Sequence, residues 1–318
     1  MRIHLNRLAS VVVVLAMILS AELLAGQPMP KNPQEALPAL KLDVDLVSLN
    51  VVVTDHKGQA ITELERENFK VYEDRVEQPI SFFSHEDAPV SWGLVLDRSR
   101  SMEETIQQVH QAAVHLIDEG TGQDEMFIQI FNTQSQLVRS FTSDRNQLTN
   151  SIFGLEANGR TAVFDAVALA LDRLQAGRHP KKALIVVTDR DDNSSELTFK
   201  ELIELAEEQD ALIYVMGIFE PPDSRQPGPR GWEQRGPLEK VAEVTGGRAY
   251  FPTNIRQCQE AVKQIGLEVS HQYSLGYYPT RPPGDGEWRK LKVVVVHQGQ
   301  RERKLIARTR SRFFVPRR

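Results

Sequence analysis

The sequence contains very little sulfur and none of the common catalytic signatures. The chain of 318 residues has one cysteine, Cys258, and eight histidines. One cysteine excludes an intrachain disulfide and any zinc site built from several thiolates. The histidines form no HExxH pattern, and the chain lacks both a Walker loop and the GxSxG turn of serine hydrolases. Any chemistry must therefore come from oxygen-bearing side chains.

A strong overall charge is also missing. The formal net charge is −5, with 25% charged and 41% hydrophobic residues, which is ordinary globular composition. Without a net basic charge, the composition does not predict nucleic-acid binding. Basic residues gather in residues 281–318, which carry a charge of +9. Arg308, Arg310 and Arg312 alternate there, so we expect them on one strand face, either as a solvated outer surface or as a strip that meets an anionic partner.

The N-terminus is typical of a secretory signal peptide. In residues 1–26, Arg2 and Arg7 precede an apolar run from Leu8 to Ala21, and the small residues Ala25 and Gly26 follow it. The run is short of the about 20 apolar residues of a membrane span, so we expect cleavage, with an uncleaved anchor as the alternative. Residues 27–40 contain four prolines and are predicted to be a linker. The protein is thus predicted to be periplasmic or secreted, without a membrane span after cleavage.

The middle of the chain, residues 91–269, has the pattern of an α/β domain. Apolar runs that suit buried strands alternate with amphipathic helical segments; the runs are 91–97, 181–189 and 211–218. This alternation predicts a mainly parallel sheet with helices on both faces. Residues 125–132 and 135–142 are predicted to form a hairpin, which adds an antiparallel edge.

The two flanks of this domain have a β pattern. Neither residues 41–90 nor residues 270–318 supply enough strands to be stable alone. We therefore expect both flanks to form one small β-sandwich-like domain into which the α/β domain is inserted. Residues 291–297 and 303–309 are predicted to pair as a hairpin.

Oxygen donors follow two of the predicted strands and precede a helix. Asp97 ends an apolar strand and begins the motif Asp-x-Ser-x-Ser with Ser99 and Ser101; Asp189 ends a second strand, and Thr161 directly precedes a helix. Ligands of parallel sheets bind at the carboxyl ends of strands. Five hard donors in three loops suit Mg²⁺ or Mn²⁺. Taken singly, the serines could instead cap a helix and Asp189 could be an ordinary loop residue.

Three segments resemble the metal-site segments of von Willebrand factor A-type domains: LVLDRSRSM, GRTAVFDAV and LIVVTDRDDNSS. The resemblance covers about residues 91–269, and the flanks resemble those of secreted bacterial VWFA-related proteins. It implies a Rossmann-like α/β fold and a metal-ion-dependent adhesion site for Mg²⁺, with Mn²⁺ or Ca²⁺ as alternatives. It further implies that the three hydroxyls bind the cation directly, that the two aspartates act largely through water, and that a partner's carboxylate completes the coordination.

The sequence departs from the family pattern by its arginines. Arg100 and Arg190 stand where glycine is usual, and Arg98 lies beside them. Guanidinium groups near a cation oppose its binding, but they also attract an acidic partner through bidentate contacts. All three could instead point into solvent.

These features predict an exported, non-enzymatic binding or adhesion protein. Its divalent cation would capture an exposed Asp or Glu of a protein partner; the oligomeric state is not predicted. One alternative is a magnesium-dependent phosphohydrolase of the haloacid-dehalogenase kind, because Asp97 follows an apolar strand. Such enzymes usually carry an acidic residue two positions later, where this chain has Ser99, a poor general acid. Another alternative is a structural envelope protein whose metal site is degenerate.

Overall fold

A computed structural model describes residues 46–85, 87–189, 192–218, 235–281, 286–296, 305–315 and 317. The predicted signal peptide and linker lie outside the described residues. Within the described residues, no helix has the length and apolar character that a membrane crossing requires.

The strands and helices are numbered in chain order. The strands are β1 Val47–Thr54, β2 Phe69–Glu73, β3 Val76–Gln78, β4 Ile80–Ser84, β5 Val90–Asp97, β6 Glu125–Phe131, β7 Ser135–Thr142, β8 Lys181–Thr188, β9 Leu212–Gly217, β10 Ala249–Tyr250, β11 Tyr273–Tyr277, β12 Trp288–Val295, β13 Ile306–Arg308 and β14 Arg312–Phe314. The helices are α1 Ile106–Glu119, α2 Arg145–Asn150, α3 Val163–Gln175, α4 Phe199–Glu208, α5 Arg235–Thr245 and α6 Ile255–Ser270. Short 3₁₀ turns cover Arg66–Asn68 and Arg100–Glu103.

A six-stranded sheet with the order β10-β9-β8-β5-β6-β7 forms the centre of the α/β part. Its strands pair in parallel except for β7, which pairs antiparallel with β6. The predicted α/β class and the predicted hairpin of residues 125–142 are therefore confirmed. In register, Asp97 pairs with Phe131 of β6 while Leu96 pairs with Val187 of β8. The carboxyl ends of these neighbouring strands therefore lie side by side.

Side chains of β5 alternate between the two faces of this sheet, as a strand buried on both faces requires. Trp92, Leu94 and Leu96 belong to the apolar core that includes residues of α1 and α6. Val95 belongs to the opposite core, which includes residues of α3, α4 and α5. At Gly93, an added Cβ would lie 2.5 Å from the Leu184 side chain and 2.6 Å from the Phe127 ring, so glycine leaves room for the side chains of the neighbouring strands. The resulting three-layer, Rossmann-like domain holds β5 and β8 rigidly at its centre.

The two flanks share two four-stranded sheets, ordered β13-β1-β11-β4 and β14-β12-β2-β3. β1 of the first flank pairs antiparallel with β11 of the second, and β2 pairs antiparallel with β12. One apolar cluster contains inward side chains of both sheets, among them Leu49, Val71 and Tyr273. This arrangement supports our expectation of one β domain from both flanks, although the exact domain boundaries stay a prediction.

The prediction that residues 291–297 and 303–309 form a hairpin is wrong. β12 pairs with β14 and β2, whereas β13 pairs with β1 in the other sheet. β12 and β13 therefore lie in different sheets, and residues 297–304 between them lie outside the described residues. Alternation in the sequence indicates a strand but does not identify its partner.

The three alternating arginines do not share a strand face, so that prediction is also wrong. Arg308 lies on β13 and Arg312 on β14, in different sheets. Arg308 Nη2 lies 2.6 Å from Glu268 Oε2 on α6, and Arg312 Nε lies 2.5 Å from an oxygen of Glu207 on α4. Arg310 donates to the carbonyl oxygen of Ser48. Arg308 and Arg312 attach the β domain to helices of the α/β domain, because buried carboxylates on those helices attract them, whereas the Arg310 contact with β1 lies within the β domain.

Candidate metal centre

The first loop of the site begins at Asp97, the last residue of β5, which is fully buried. Its Oδ1 accepts a hydrogen bond of 2.7 Å from the Ser99 backbone N–H, and its Oδ2 accepts one of 2.6 Å from the Thr188 hydroxyl. Thr188 is the last residue of β8, the neighbouring strand. Both oxygens are thus oriented by the strand ends. This placement suits a carboxylate that acts on a bound ion indirectly rather than as a free ligand.

The structure brings Ser99, Ser101 and Asp189 together. The hydroxyl oxygens of the two serines lie 3.0 Å apart, and the Ser101 hydroxyl donates to Asp189 Oδ1 at 2.8 Å. Ser99 occupies the N-cap position of the 3₁₀ turn but makes no side-chain capping bond. Helix capping therefore does not explain Ser99, and three of the five predicted donors form one continuous row of oxygens.

Thr161 is carried by a second loop that is hydrogen-bonded to the first. The Asn158 N–H donates to the Arg98 carbonyl at 2.8 Å, and the Arg100 N–H donates to the Gly159 carbonyl at 3.1 Å. Gly159 has φ +81°, a conformation that favours glycine. Thr161 is buried, and its hydroxyl makes no hydrogen bond to any residue in the described part of the chain.

The third loop is fastened to the second by backbone and carboxylate contacts. The N–H groups of Asn193 and Ser194 both donate to the Thr161 carbonyl, at 2.9 and 3.1 Å. Asp165 on α3 accepts the N–H groups of Glu196 and Leu197, at 2.9 and 3.0 Å. Asp165 thus holds the loop in place, which suits the role of a supporting residue near the site.

Several residues that position the site were not predicted from the sequence. Thr188 orients Asp97, and Asn193 accepts the Thr161 N–H through its side chain at 3.0 Å. Asn132, after β6, donates to both oxygens of Asn158 and so holds the second loop. Thr188 directly precedes a predicted ligand at the end of a strand, which is a usable signal. The two asparagines carry no comparable sequence signal.

The arginines lie around this group of loops. Arg98 is half-buried and Arg100 is exposed. Neither guanidinium makes an ion pair or a hydrogen bond with the described residues, and Nε of Arg98 is buried without a partner. Arg190, the third predicted partner-binding arginine, lies outside the described residues. Arg160, in the second loop, directs its guanidinium to the carbonyl oxygen of Asn193.

The donor set fits a hard divalent cation. No three His, Cys, Asp or Glu side chains are grouped as metal ligands among the residues that the structure describes. The candidate site differs from such a cluster, because its ligands are three hydroxyls and two carboxylates. Oxygen ligands of this kind suit Mg²⁺, Mn²⁺ and Ca²⁺. The row of oxygens formed by Ser99, Ser101 and Asp189 is the clearest local feature that favours a ligand.

Comparison with known proteins identifies the type of this domain. Residues 93–191 match the family model of the von Willebrand factor type A domain; the match runs from within β5, through the second loop, to just beyond the end of β8. No curated protein matches the chain.

Solved structures similar to the chain include three bacterial proteins. The conserved hypothetical protein BatB from Bacteroides thetaiotaomicron is 20% identical, with a TM-score of 0.46; the match covers 55% of this chain and 97% of that one. A von Willebrand factor type A protein from Catenulispora acidiphila is 12% identical, with a TM-score of 0.49, covering 86% and 74%. The vWF domain of the type V pili tip protein Mfa5 from Porphyromonas gingivalis is 10% identical, with a TM-score of 0.44, covering 57% and 96%. The family model, rather than these distant likenesses, identifies the domain.

Proposed function

We propose, from the premise that this chain carries a von Willebrand factor type A domain, that it is an exported, non-enzymatic protein that captures an acidic side chain of a partner protein. The domain type fits a binding or adhesion role. Ser99, Ser101 and Thr161 would hold Mg²⁺ directly, and Asp97 and Asp189 largely through water. Bound there, the cation supplies an open coordination position to the partner's carboxylate. The signal-like N-terminus supports export.

The observation that carries this proposal is the row of oxygens formed by Ser99, Ser101 and Asp189. Their contacts of 3.0 and 2.8 Å join the loop after β5 to the loop after β8. Oxygens held this closely from separate strand ends can turn toward a shared cation with small side-chain rotations. The hydrogen bonds between the first and second loops keep Thr161 in the same assembly.

Some residues of the site would bind the cation, and others would position those ligands. Asp97 accepts two hydrogen bonds in a buried setting, so it fixes the first loop and contributes negative charge behind the ligand oxygens. Arg98 and Arg100 make no ion pair with the described residues. Their charges oppose the cation and attract an anion, so the site selects partners that bring negative charge of their own.

Calorimetric titration of the full chain with MgCl₂ tests the proposal. We expect saturable binding that Ser101→Ala weakens by about tenfold, the equivalent of one lost ligand contact of roughly 1.4 kcal/mol. Ser140→Ala on the exposed part of β7 is the matched control and should bind as the parent does. Circular dichroism confirms that both variants are folded. Equal affinity in parent, Ser101→Ala and control would show that this group of oxygens does not hold the ion.

A second measurement separates the binding role from the phosphohydrolase alternative. We expect no turnover of generic phosphate esters in the presence of Mg²⁺, because the position two residues after Asp97 is a buried serine rather than an acid. Phosphatase activity that disappears in Asp97→Asn would overturn the non-enzymatic proposal.

A further inference from the structure

One edge strand of the β domain carries no charged side chain. The other edge strands longer than two residues in the described chain each carry one: Glu77 on β3, Arg139 on β7, Arg308 on β13 and Arg312 on β14. β4, with the sequence ISFFS, has none. Charged side chains at sheet edges hinder pairing with other chains. β4 is therefore the edge least protected against the addition of another strand.

A groove runs beside this edge. It has a volume of about 590 Å³ and is formed by residues 62–65 and residues 82–85; we call it the β4 groove. β4 pairs with β11 on one side, and no strand in the described residues pairs with its other side. Arg66 donates to the carbonyl oxygen of Ile80 at the start of the strand, so the open stretch is residues 81–84. Phe82, on this stretch, is 48% exposed.

The charge along the groove indicates the chemistry of its occupant. Glu63 and Glu65 both line the groove and are exposed, and neither forms an ion pair among the described residues. A second copy of β4 would bring two such pairs of carboxylates together, and like charges at close range disfavour that arrangement. A strand that carries lysine or arginine complements the groove instead.

We propose that the β4 groove receives an extended segment of a partner protein, which adds a strand to β4. Main-chain hydrogen bonds to residues 81–84 would supply affinity, while side chains on alternate positions would supply specificity. Basic side chains of the segment meet Glu63 and Glu65, and an apolar side chain packs against Phe82. This surface is built from the β domain and uses none of the metal-site residues.

Fluorescence anisotropy with the full chain and short labelled peptides tests this proposal. A peptide of alternating lysine and valine is expected to bind, whereas one of alternating glutamate and valine is not. N-methylation of alternate backbone nitrogens in the basic peptide should abolish binding, because it removes the donors of an added strand without changing the charge. Added chelator, or Ser101→Ala, should leave this binding unchanged, so its failure is distinguishable from failure of the metal site.

Variants of the protein that reverse the charge of the β4 groove complement the experiment with the two peptides. Glu63→Lys combined with Glu65→Lys should weaken binding by about tenfold, the effect of losing one to two charge-assisted contacts. Glu67→Lys makes a similar change on an exposed residue outside the groove and should have no effect. Phe82→Lys, which leaves both glutamates in place, should also reduce binding.

Three results would overturn the proposal. One is equal binding of the basic and acidic peptides, and another is binding that survives N-methylation. The third is a concentration-dependent dimer in sedimentation velocity that Phe82→Lys dissociates, because a second copy would then occupy the β4 groove.

Discussion

The hydroxyl of Thr188 donates to Oδ2 of Asp97 across 2.6 Å, so the end of one strand orients the carboxylate at the end of its neighbour. Both residues are fully buried. The orientation of Asp97 is therefore set by the packing of the parallel sheet rather than by the flexible part of the loop. If Ser99 and Ser101 hold a cation as we propose, its affinity should depend on this contact between β8 and β5.

Thr188→Val should weaken Mg²⁺ binding while the protein stays folded. The substitution keeps the side-chain shape but removes the donor to a buried carboxylate oxygen, which costs about 1–3 kcal/mol. Calorimetric titration and urea unfolding measure the two effects separately. Thr121→Val at an exposed loop position is the control. Unchanged Mg²⁺ affinity in Thr188→Val would mean that the orientation of Asp97 does not contribute to the site.

Replacing Arg100 should change the affinities for cation and anion in opposite directions. Arg100→Gln removes one positive charge, so Mg²⁺ should bind more tightly; a pair of unit charges 4 Å apart in water interacts by about 1 kcal/mol. The difference should shrink as salt concentration rises. Arg100→Gly, which restores the residue usual in the family, should act in the same direction.

The control for Arg100 is Arg256→Gln, an exposed arginine that pairs with Glu260 on α6. An acidic peptide should bind the Mg²⁺-loaded parent more tightly than it binds loaded Arg100→Gln. Identical affinities for both ligands in parent and variant would show that this guanidinium extends into solvent without a role in binding.

The fold class, and the proximity of the loops after β5 and β8, could be predicted from local features of the sequence that leave few alternatives, whereas the role of these residues as metal ligands stays a prediction. Runs such as residues 181–189 specify buried strands, and strand ends in a parallel sheet gather their loops at one edge. Asp97 and Asp189 could therefore be placed together without coordinates. By contrast, β12 and β13 were recognisable as strands, but their partners depend on contacts with distant parts of the chain.

The ion pairs between the β domain and the α/β domain could not be predicted from the sequence either. Arg308 and Arg312 looked like members of one surface strip, because alternation is visible in a sequence. Their actual partners, Glu268 and Glu207, lie far away in the chain and on separate helices. No local pattern relates a strand arginine to a buried helix carboxylate, so this arrangement required the structure.

Glu268→Gln should strongly destabilise the protein. The Glu268 carboxylate is completely buried, accepts the Tyr214 hydroxyl at 3.0 Å and pairs with Arg308. Burial lowers the pKa of the Arg308 guanidinium, but the charge and hydrogen bond of Glu268, together with Tyr214 and Tyr250, raise it to a net value above the usual one. Removing one partner of a buried ion pair leaves an uncompensated charge and typically costs about 3–5 kcal/mol.

Denaturant unfolding measures this loss, with Glu260→Gln as the control. Glu260 pairs with Arg256 on the surface, and exposed pairs contribute about 0–1 kcal/mol. Replacing both members of the buried pair, as in Glu268→Gln with Arg308→Met, should recover part of the stability. A loss no larger than that of the control would show that the pair does not fasten the β domain to α6.

His85 should make the protein less stable as the pH falls through about 6.5. Its ring stacks on Tyr273 with centroids 4.3 Å apart, and burial lowers its pKa below the ordinary value of 6.5, with Lys181 and His271 acting in the same direction. Asp87 and Glu65 oppose this shift but do not cancel it. The unfolded chain therefore takes up a proton at a pH where the folded chain does not, so acid favours unfolding.

His85→Phe should flatten the dependence of the unfolding free energy on pH between about 7 and 5, whereas His56→Phe in the exposed turn after β1 should not. The slope of the unfolding free energy against pH is the quantity to compare, because phenylalanine also changes the packing on Tyr273 and so the absolute stability. Equal slopes in the parent and in His85→Phe would show that the His85 ring takes up a proton as readily in the folded protein as in the unfolded chain.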